Sequence, residues 1–213
     1  MNLRTLLVLL AAIGALIVGV WVSWQQSQQI QPRPQVSALW LQQPRSLAAV
    51  TLTDNNGQPF GQQQLAGKWT LMFVGYTSCP DVCPTTMSDL ARLYPRVAQL
   101  DLQVVLLSVD PQRDQPSKLN SYVQFFNPNF KAVTGPHTEL YPFTQSLGLV
   151  YALVDSPSGS DYLVDHSADI VLINPQGQLE AIFRPQGELG QVRTVSMQDL
   201  AQDLPNITAY VGG

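Results

Sequence analysis

The chain has 213 residues, of which 45% are hydrophobic and 12% charged, and its formal net charge is −4 at neutral pH. Its basic residues form no cluster, so the charge pattern gives no support to nucleic-acid binding. The length left after an apolar N-terminal segment is sufficient for one domain with a single core.

The N-terminal segment of residues 5–24 contains no charged side chain. About twenty apolar residues are enough for a helix to cross the hydrocarbon core of a bilayer. A cleaved signal peptide is the alternative, but its apolar region should be shorter and end in small residues. This segment ends around Trp21 and Trp24, which favour a membrane interface. We therefore predict an uncleaved transmembrane anchor, with residues 1–4 in the cytoplasm because Arg4 precedes it.

Residues 25–46 are dominated by glutamine and proline and show no periodicity. Such a composition is typical of a linker. We interpret these residues as a stalk that carries a globular domain of residues 47–213. The single-pass topology would place this domain in the periplasm, or an equivalent space, attached to the inner membrane.

The first half of the domain alternates strand and helix signals. The stretch "AVTLTDNNGQPF" alternates apolar and polar residues up to an Asn-Gly pair, which predicts a hairpin. The apolar runs "WTLMFVGY" and "LQVVLLSVD" predict buried strands. Between these two runs, apolar residues recur at helical spacing from Pro84 to Leu100, which predicts a helix.

The second half continues this alternation. We predict helices in "QPSKLNSYVQFF", "TELYPFTQSLG" and "VRTVSMQDLAQDL", and strands in "KAVTG", "LVYALVD", "ADIVLIN" and "LEAIFR". The last two strands are joined by the turn "NPQGQ" and should pair as a hairpin. The element order predicts an α/β domain with a thioredoxin-like fold, an N-terminal hairpin and insertions.

The two cysteines of the chain, Cys79 and Cys83, fall between the first buried strand and the following helix. Loops at this position bind ligands in many α/β folds. Pro84 suits the first turn of a helix, so Cys83 should lie near the helix start, where the helix dipole favours a thiolate. A redox disulfide, a structural disulfide and a pair of metal ligands all remain open, although a structural disulfide closing so short a loop would add little stability.

A third donor for a metal site is His166, which precedes a predicted buried strand. We expect His166 in the turn before that strand. In a thioredoxin arrangement this turn faces the cysteine loop. Proteins that use the fold for disulfide exchange usually place a cis-proline in the turn. Two thiolates and one imidazole suit Cu(I) or Cu(II), and could hold zinc with a fourth ligand. We expect the other histidine, His137, at the surface, and Met87 in the core.

Several charged residues lie close to these donors. Asp81 stands between the cysteines, where it could stabilise the helix start or form a negative rim that attracts a partner. Asp110, Arg113 and Asp114 follow the second buried strand, and both a structural turn and partner docking are open for them. Asp165 could hydrogen-bond to the neighbouring imidazole and orient it.

The chain resembles the Sco/SenC family of membrane-anchored copper chaperones. The resemblance rests on the segments "GKWTLMFVGYTSCPDVCPTTMSDL", "VVLLSVDPQRDQPSKLNSYVQFF", "AVTGP" and "YLVDHSADIVLINPQG", which occur in this order. They cover most of the range from Val50 to Gly177. The resemblance implies a single copper ion bound by Cys79, Cys83 and His166, and a redox disulfide between the two cysteines.

The resemblance also implies what the copper is for. The family delivers copper to the binuclear site of cytochrome c oxidase subunit II, which requires a periplasmic copper donor and a thiol reductant but no catalytic residue. A protein of this kind is a chaperone and not an enzyme. The alternative function is a thiol–disulfide oxidoreductase that keeps the cysteines of that subunit, or of other periplasmic proteins, reduced.

Overall fold

The chain divides into two compact units. The first ends at Gln35, and the second begins at Val36. The computed structural model describes residues 2–28, 32–155, 162–187 and 193–212. The first unit contains the helix α1 (Leu3–Gln28). Its span Leu3–Trp24 has a mean hydropathy of 2.7, so α1 is long and apolar enough to cross a membrane.

The second unit is built on an eight-stranded sheet with the order β1-β10-β9-β4-β5-β6-β2-β3. β4 is parallel to β5, β5 is parallel to β6, and β9 runs antiparallel to β4. The strands are β1 (Leu39–Ser46), β2 (Leu52–Asp54), β3 (Pro59–Phe60), β4 (Trp69–Gly75), β5 (Leu102–Ser108), β6 (Lys131–Thr134), β9 (Ile170–Ile173) and β10 (Gln178–Phe183).

Among the described residues of this unit, five α-helices accompany the sheet: α2 (Gln62–Leu65), α3 (Val82–Val97), α4 (Pro116–Phe126), α5 (His137–Ser146) and α6 (Met197–Gly212). Every residue of β4 and β5 is buried, as their continuous apolar runs predict. Side chains alternate between the two faces of a strand, so Met72 and Val74 join one core cluster with α5, while Leu71 and Phe73 join another with α3, α4 and α6.

The connections agree with the predicted fold. β4, α3 and β5 form a strand–helix–strand unit, and β9, β10 and α6 follow as an antiparallel hairpin and a helix. The resulting strand order β5-β4-β9-β10, with β9 antiparallel, is the thioredoxin-like arrangement. The predicted α/β fold, including the N-terminal hairpin of β2 and β3, is therefore confirmed.

The start of the domain differs from the prediction. Residues Leu39–Ser46, which we expected in the stalk, form β1 and pair antiparallel with β10. The indole Nε1 of Trp40 donates a hydrogen bond of 2.8 Å to the buried carboxylate of Glu180. The compact unit consequently begins at Val36 and not at Leu47.

Two predicted segments include residues that the structure does not describe. Residues 29–31 of the predicted stalk lie outside the described residues, and so does Val192, the first residue of the last predicted helix. The helix itself, α6, begins only at Met197 and continues to Gly212, well past the predicted end.

A second, two-stranded sheet carries one of the predicted site residues. It consists of β7 (Tyr151–Asp155) and β8 (Tyr162–His166), which among the described strands pair only with each other. β7 was predicted, whereas no strand was predicted in the position of β8. As a result His166, which we expected in a turn, is the last residue of a strand and lies opposite Tyr151.

The corrected domain boundary leads to a prediction about stability. A chain that starts at Leu47 lacks β1, so β10 becomes an exposed edge and Glu180 loses the donor Trp40. A buried polar group left without its partner costs about 1–3 kcal/mol. We expect this chain to unfold at a lower urea concentration than a chain that starts at Val36. Equal midpoints in the two urea titrations would show that β1 does not stabilise the domain.

Candidate metal centre

The cysteine loop begins where β4 ends. Cys79 lies in the loop before α3, and Cys83 is the second residue of that helix. The backbone N–H of Cys83 donates to Sγ of Cys79 at 3.5 Å, so the helix start supplies a donor to this sulfur. Cys79 is half-buried, whereas Cys83 is completely buried.

The buried sulfur requires a glycine at the end of β4. A Cβ atom at Gly75 would lie 2.8 Å from Sγ of Cys83 and 3.0 Å from Leu106 Cδ1, closer than packed atoms tolerate. Any other residue at this position would therefore displace the sulfur. Sequence reasoning missed this role, because a glycine that closes an apolar run gives no local signal of the contact.

His166 brings its imidazole to both sulfurs. Its Nε2 lies 3.4 Å from Sγ of Cys83 and 4.0 Å from Sγ of Cys79. Its Nδ1 lies 2.9 Å from the carbonyl oxygen of Ser167. Because a carbonyl can only accept, this contact assigns a hydrogen to Nδ1, and in the neutral ring it leaves the lone pair of Nε2 directed at the sulfurs.

The three donor atoms lie close enough to bind one ion. All three are within 4.8 Å of one another, the one such group among the described residues. With metal–sulfur and metal–nitrogen bonds of about 2.3 Å and about 2.0 Å, a trigonal ion sets its sulfur and nitrogen donors about 3.7 Å apart. The two sulfur–nitrogen distances lie on either side of this value, so the donors fit a three-coordinate ion.

The two thiols share one proton unequally. A hydrogen bond from Cys83 lowers the pKa of Cys79 to about 4, against the opposing effect of burial and with a further contribution from His166. The same hydrogen bond, together with burial, raises the pKa of Cys83. The metal-free site therefore holds a Cys79 thiolate beside a Cys83 thiol, and a metal ion that binds both sulfurs must displace the proton of Cys83.

The protonation of His166 depends on opposing effects. Burial lowers the pKa of its imidazole, but the hydrogen bonds to Cys79 and to the carbonyl of Ser167 outweigh burial and raise it overall. The negative charge of Asp165 makes a smaller contribution in the same direction. The imidazole is thus held beside a thiolate that favours its positive form.

Two of the charged candidates lie at the rim of the site. Asp81 is exposed and precedes α3, and its carbonyl oxygen accepts the hydroxyl of Thr85 at 2.8 Å. Asp165 is exposed on the face of β8 opposite to His166. The carbonyl of Ser167 takes the orienting position that we had considered for Asp165.

The three other charged candidates are held in structural contacts. Asp114 is buried and accepts hydrogen bonds from the backbone N–H of Thr77 at 2.8 Å, the hydroxyl of Thr77 at 2.5 Å and the hydroxyl of Ser108 at 2.7 Å. Asp110 is also buried, pairs with Arg113 and accepts the hydroxyl of Tyr162 at 2.5 Å. Neither aspartate therefore presents a free carboxylate to a partner.

The remaining histidine and Met87 take no part in the donor group. His137 is half-buried, and its Nδ1 lies 2.8 Å from the hydroxyl of Tyr151. Met87 is fully buried in the core, as predicted. A groove of about 330 Å³ opens beside the donors, and its lining includes Cys79, His166 and Leu163.

Comparison with known proteins gives a consistent result. Residues 42–198 match the family model described as SCO1/SenC. A candidate copper-binding protein of Stutzerimonas stutzeri is 36% identical, covering 78% of this chain and 82% of that protein. The mitochondrial SCO2 homolog of Mus musculus is 31% identical, covering 83% of this chain and 71% of the relative.

Solved structures are similar over the same region. The copper-bound ScoI of Arabidopsis thaliana superposes with a TM-score of 0.66 at 26% identity, covering 78% of this chain and 98% of that one. The copper-bound ScoI of Bradyrhizobium japonicum gives a TM-score of 0.63 at 29% identity, covering 76% and 99%.

The unequal thiols lead to a prediction about alkylation. We expect iodoacetamide to modify Cys79 before Cys83 in the reduced, metal-free protein, because Cys79 is more accessible and its pKa is lowered. Near pH 5 an ordinary thiol, with a pKa of about 8.5, is protonated, whereas Cys79 is already a thiolate. Peptide mass spectrometry over a pH series measures both rates, and a Cys79→Ser variant is the control. Faster labelling of Cys83 would contradict the prediction.

Proposed function

The chain belongs to the SCO1/SenC family, and on this premise we propose that it is a membrane-anchored copper chaperone that binds one copper ion through Cys79, Cys83 and His166. The observation that carries the proposal is the convergence of two sulfurs and one imidazole nitrogen within 4.8 Å. Copper is the cargo of the protein, and no turnover chemistry is required of it.

The donor set matches copper in both oxidation states. Thiolates are soft ligands that favour Cu(I), and the imidazole adds the nitrogen donor that Cu(II) prefers. The groove beside Cys79 and His166 gives a second protein access to the bound ion. Transfer then proceeds by exchange of ligands: donors of the second protein replace the copper–sulfur and copper–nitrogen bonds, Cys83 regains a proton, and the oxidation state of copper does not change.

Location and partners follow from the same proposal. α1 crosses the inner membrane, with residues 1–4 in the cytoplasm and the domain in the periplasm. There the domain takes copper from a periplasmic donor and delivers it to the binuclear site of cytochrome c oxidase subunit II. It also requires a thiol reductant, because a disulfide between Cys79 and Cys83 would remove both thiolates.

A second candidate function has one observation in its favour. Cys79 is an accessible thiolate with a second thiol directly behind it, which is the arrangement of a thiol–disulfide oxidoreductase. Such a protein would keep the cysteines of subunit II, or of other periplasmic proteins, reduced. In that function the sulfurs do the work, and His166 is dispensable.

The proposal predicts that copper binding depends on the redox state. The reduced full-length protein in detergent should bind one copper ion per chain, and the oxidised protein far less, because both thiolates are needed as ligands. Metal analysis after gel filtration measures the two stoichiometries. Equal copper content in both states would place the site elsewhere in the chain.

Replacement of the histidine separates the two functions. His166→Ala removes one of three ligands, and even loss of a supporting group typically lowers metal affinity about 10–100-fold. We expect at least this loss, clearest for Cu(II), together with loss of oxidase assembly. His137→Ala is the matched control, because this histidine lies outside the donor group.

The same variant is then tested for reduction of a peptide disulfide. A chaperone variant should keep this reactivity while it loses copper and assembly. If His166→Ala keeps full copper binding and assembly, the proposed ligand set is wrong. If it loses copper but keeps assembly, the oxidoreductase becomes the better description.

A further inference from the structure

We infer that the turn Asp110–Asp114 is a positioning element. It fixes the cysteine loop and the hairpin of β7 and β8, which carries His166, in position relative to each other. Asp114 holds the cysteine loop, while Asp110 and Arg113 hold the hairpin of β7 and β8 through Tyr162. The inference rests on the proposed function in one respect, because the relative position of the loop and the hairpin matters most when one ion must bind all three donors.

The hairpin needs such an attachment. A two-stranded sheet is marginally stable alone, and among the described strands β7 and β8 form no ladder with the main sheet. The position of His166 therefore depends on contacts between the hairpin and the rest of the domain.

Tyr162 and His166 lie at opposite ends of the same face of β8. Alternate residues of a strand share a face, and Val164 between them is 5% exposed, whereas Leu163 and Asp165 are exposed. The inward face thus consists of Tyr162, Val164 and His166. A contact that fixes Tyr162 also fixes which face of the strand is turned towards the cysteines.

The hydroxyl, the carbonyl oxygen and the ring of Tyr162 all contact the turn. Its hydroxyl donates to Oδ1 of Asp110 at 2.5 Å, and its carbonyl oxygen accepts from Nη1 of Arg113 at 3.0 Å. The guanidinium of Arg113 also lies over the tyrosine ring, 4.0 Å from its centroid. Arg113 is itself paired through Nε with Asp110, which is 1% exposed. Both the backbone and the ring of Tyr162 are therefore held.

The same turn reaches the other half of the site. Asp114 accepts two hydrogen bonds from Thr77, two residues before Cys79. The guanidinium of Arg113 lies 5.5 Å from the ring centroid of Tyr76, and this ring meets the His166 imidazole edge-on at 6.0 Å. One five-residue turn thus contacts both ligand-bearing segments, which are far apart in the sequence.

The test compares two arginines that have the same local pairing. Arg113→Gln removes the contact to the hairpin. Arg92→Gln is the matched control, since Arg92 forms an i,i+3 ion pair with Asp89 like that of Arg113 with Asp110, but at an exposed site. Tyr162→Phe is a milder variant, which loses the hydroxyl but keeps the ring over the guanidinium.

The full-length proteins are assayed in detergent by three measurements. We expect Arg113→Gln to lower Cu(II) affinity about 10–100-fold, as loss of a ligand-supporting contact typically does. It should weaken the histidine nitrogen coupling in the Cu(II) electron paramagnetic resonance spectrum. In the metal-free protein, amide hydrogen exchange of residues 162–166 should become faster than in the unmodified protein.

The outcomes separate the inference from the proposed function. If Arg113→Gln matches Arg92→Gln in nitrogen coupling, Cu(II) affinity and hydrogen exchange, the inference is wrong. If Arg113→Gln does not fold, Tyr162→Phe decides by the same measurements. If the unmodified protein binds no copper, the proposed function fails. Hydrogen exchange still tests the positioning role in that case: faster exchange of residues 162–166 in Arg113→Gln supports it, and unchanged exchange overturns it.

Discussion

A sulfur atom and an imidazole nitrogen from segments 83 residues apart approach to 3.4 Å, and the rest of the domain is arranged around this contact. A site for one ion tolerates errors of only about 0.5 Å in the positions of its donors. Parallel pairing of β4 with β5 brings their carboxyl ends to one edge of the sheet, so the cysteine loop after β4 lies beside the turn after β5. That turn then reaches the hairpin that carries His166. The accuracy of the site therefore depends on a short chain of hydrogen bonds between neighbouring loops.

Charge and burial determine how the metal-free site holds its protons. Cys83 is completely buried, so a second thiolate beside that of Cys79 would be costly without a cation. In the absence of metal Cys83 keeps its proton, and against the opposing effect of burial the hydrogen bond to the Cys79 thiolate raises the pKa of His166. In the proposed function copper displaces the proton of Cys83, whereas a disulfide between Cys83 and Cys79 forms only when an oxidant of the compartment takes up two electrons and the proton is released. The geometry that suits the metal thus also suits a disulfide, and the redox state of the compartment decides between them.

The sequence allowed the central sheet and the donors to be predicted, but not the parts that hold the donors in place. β4 and β5 were recognised because both of their faces are buried and their runs are continuously apolar. β1 was assigned to the stalk because most of its side chains are exposed, so no alternating pattern marks this edge strand. The contact between Tyr162 and Asp110 joins residues 52 positions apart, and local periodicity carries no information about such a contact. His166 was proposed as the third donor because its turn faces the cysteine loop in a thioredoxin arrangement, and the family resemblance implied the same ligand, whereas its distances to the sulfurs and its Ser167 contact required the structure.

The unequal burial of the donors bears on how the proposed chaperone could both hold and release its cargo. Cys79 and His166 border the groove, whereas the sulfur of Cys83 lies behind them without exposure to solvent. The groove borders both Cys79 and His166, so an incoming ligand from a partner that enters it meets these two donors. These two donors are therefore the ones that a partner can replace first, while Cys83 keeps the ion bound until the new ligands are in place. A site with three equally exposed donors would lose its ion to solvent more readily, and one with three buried donors would not release it.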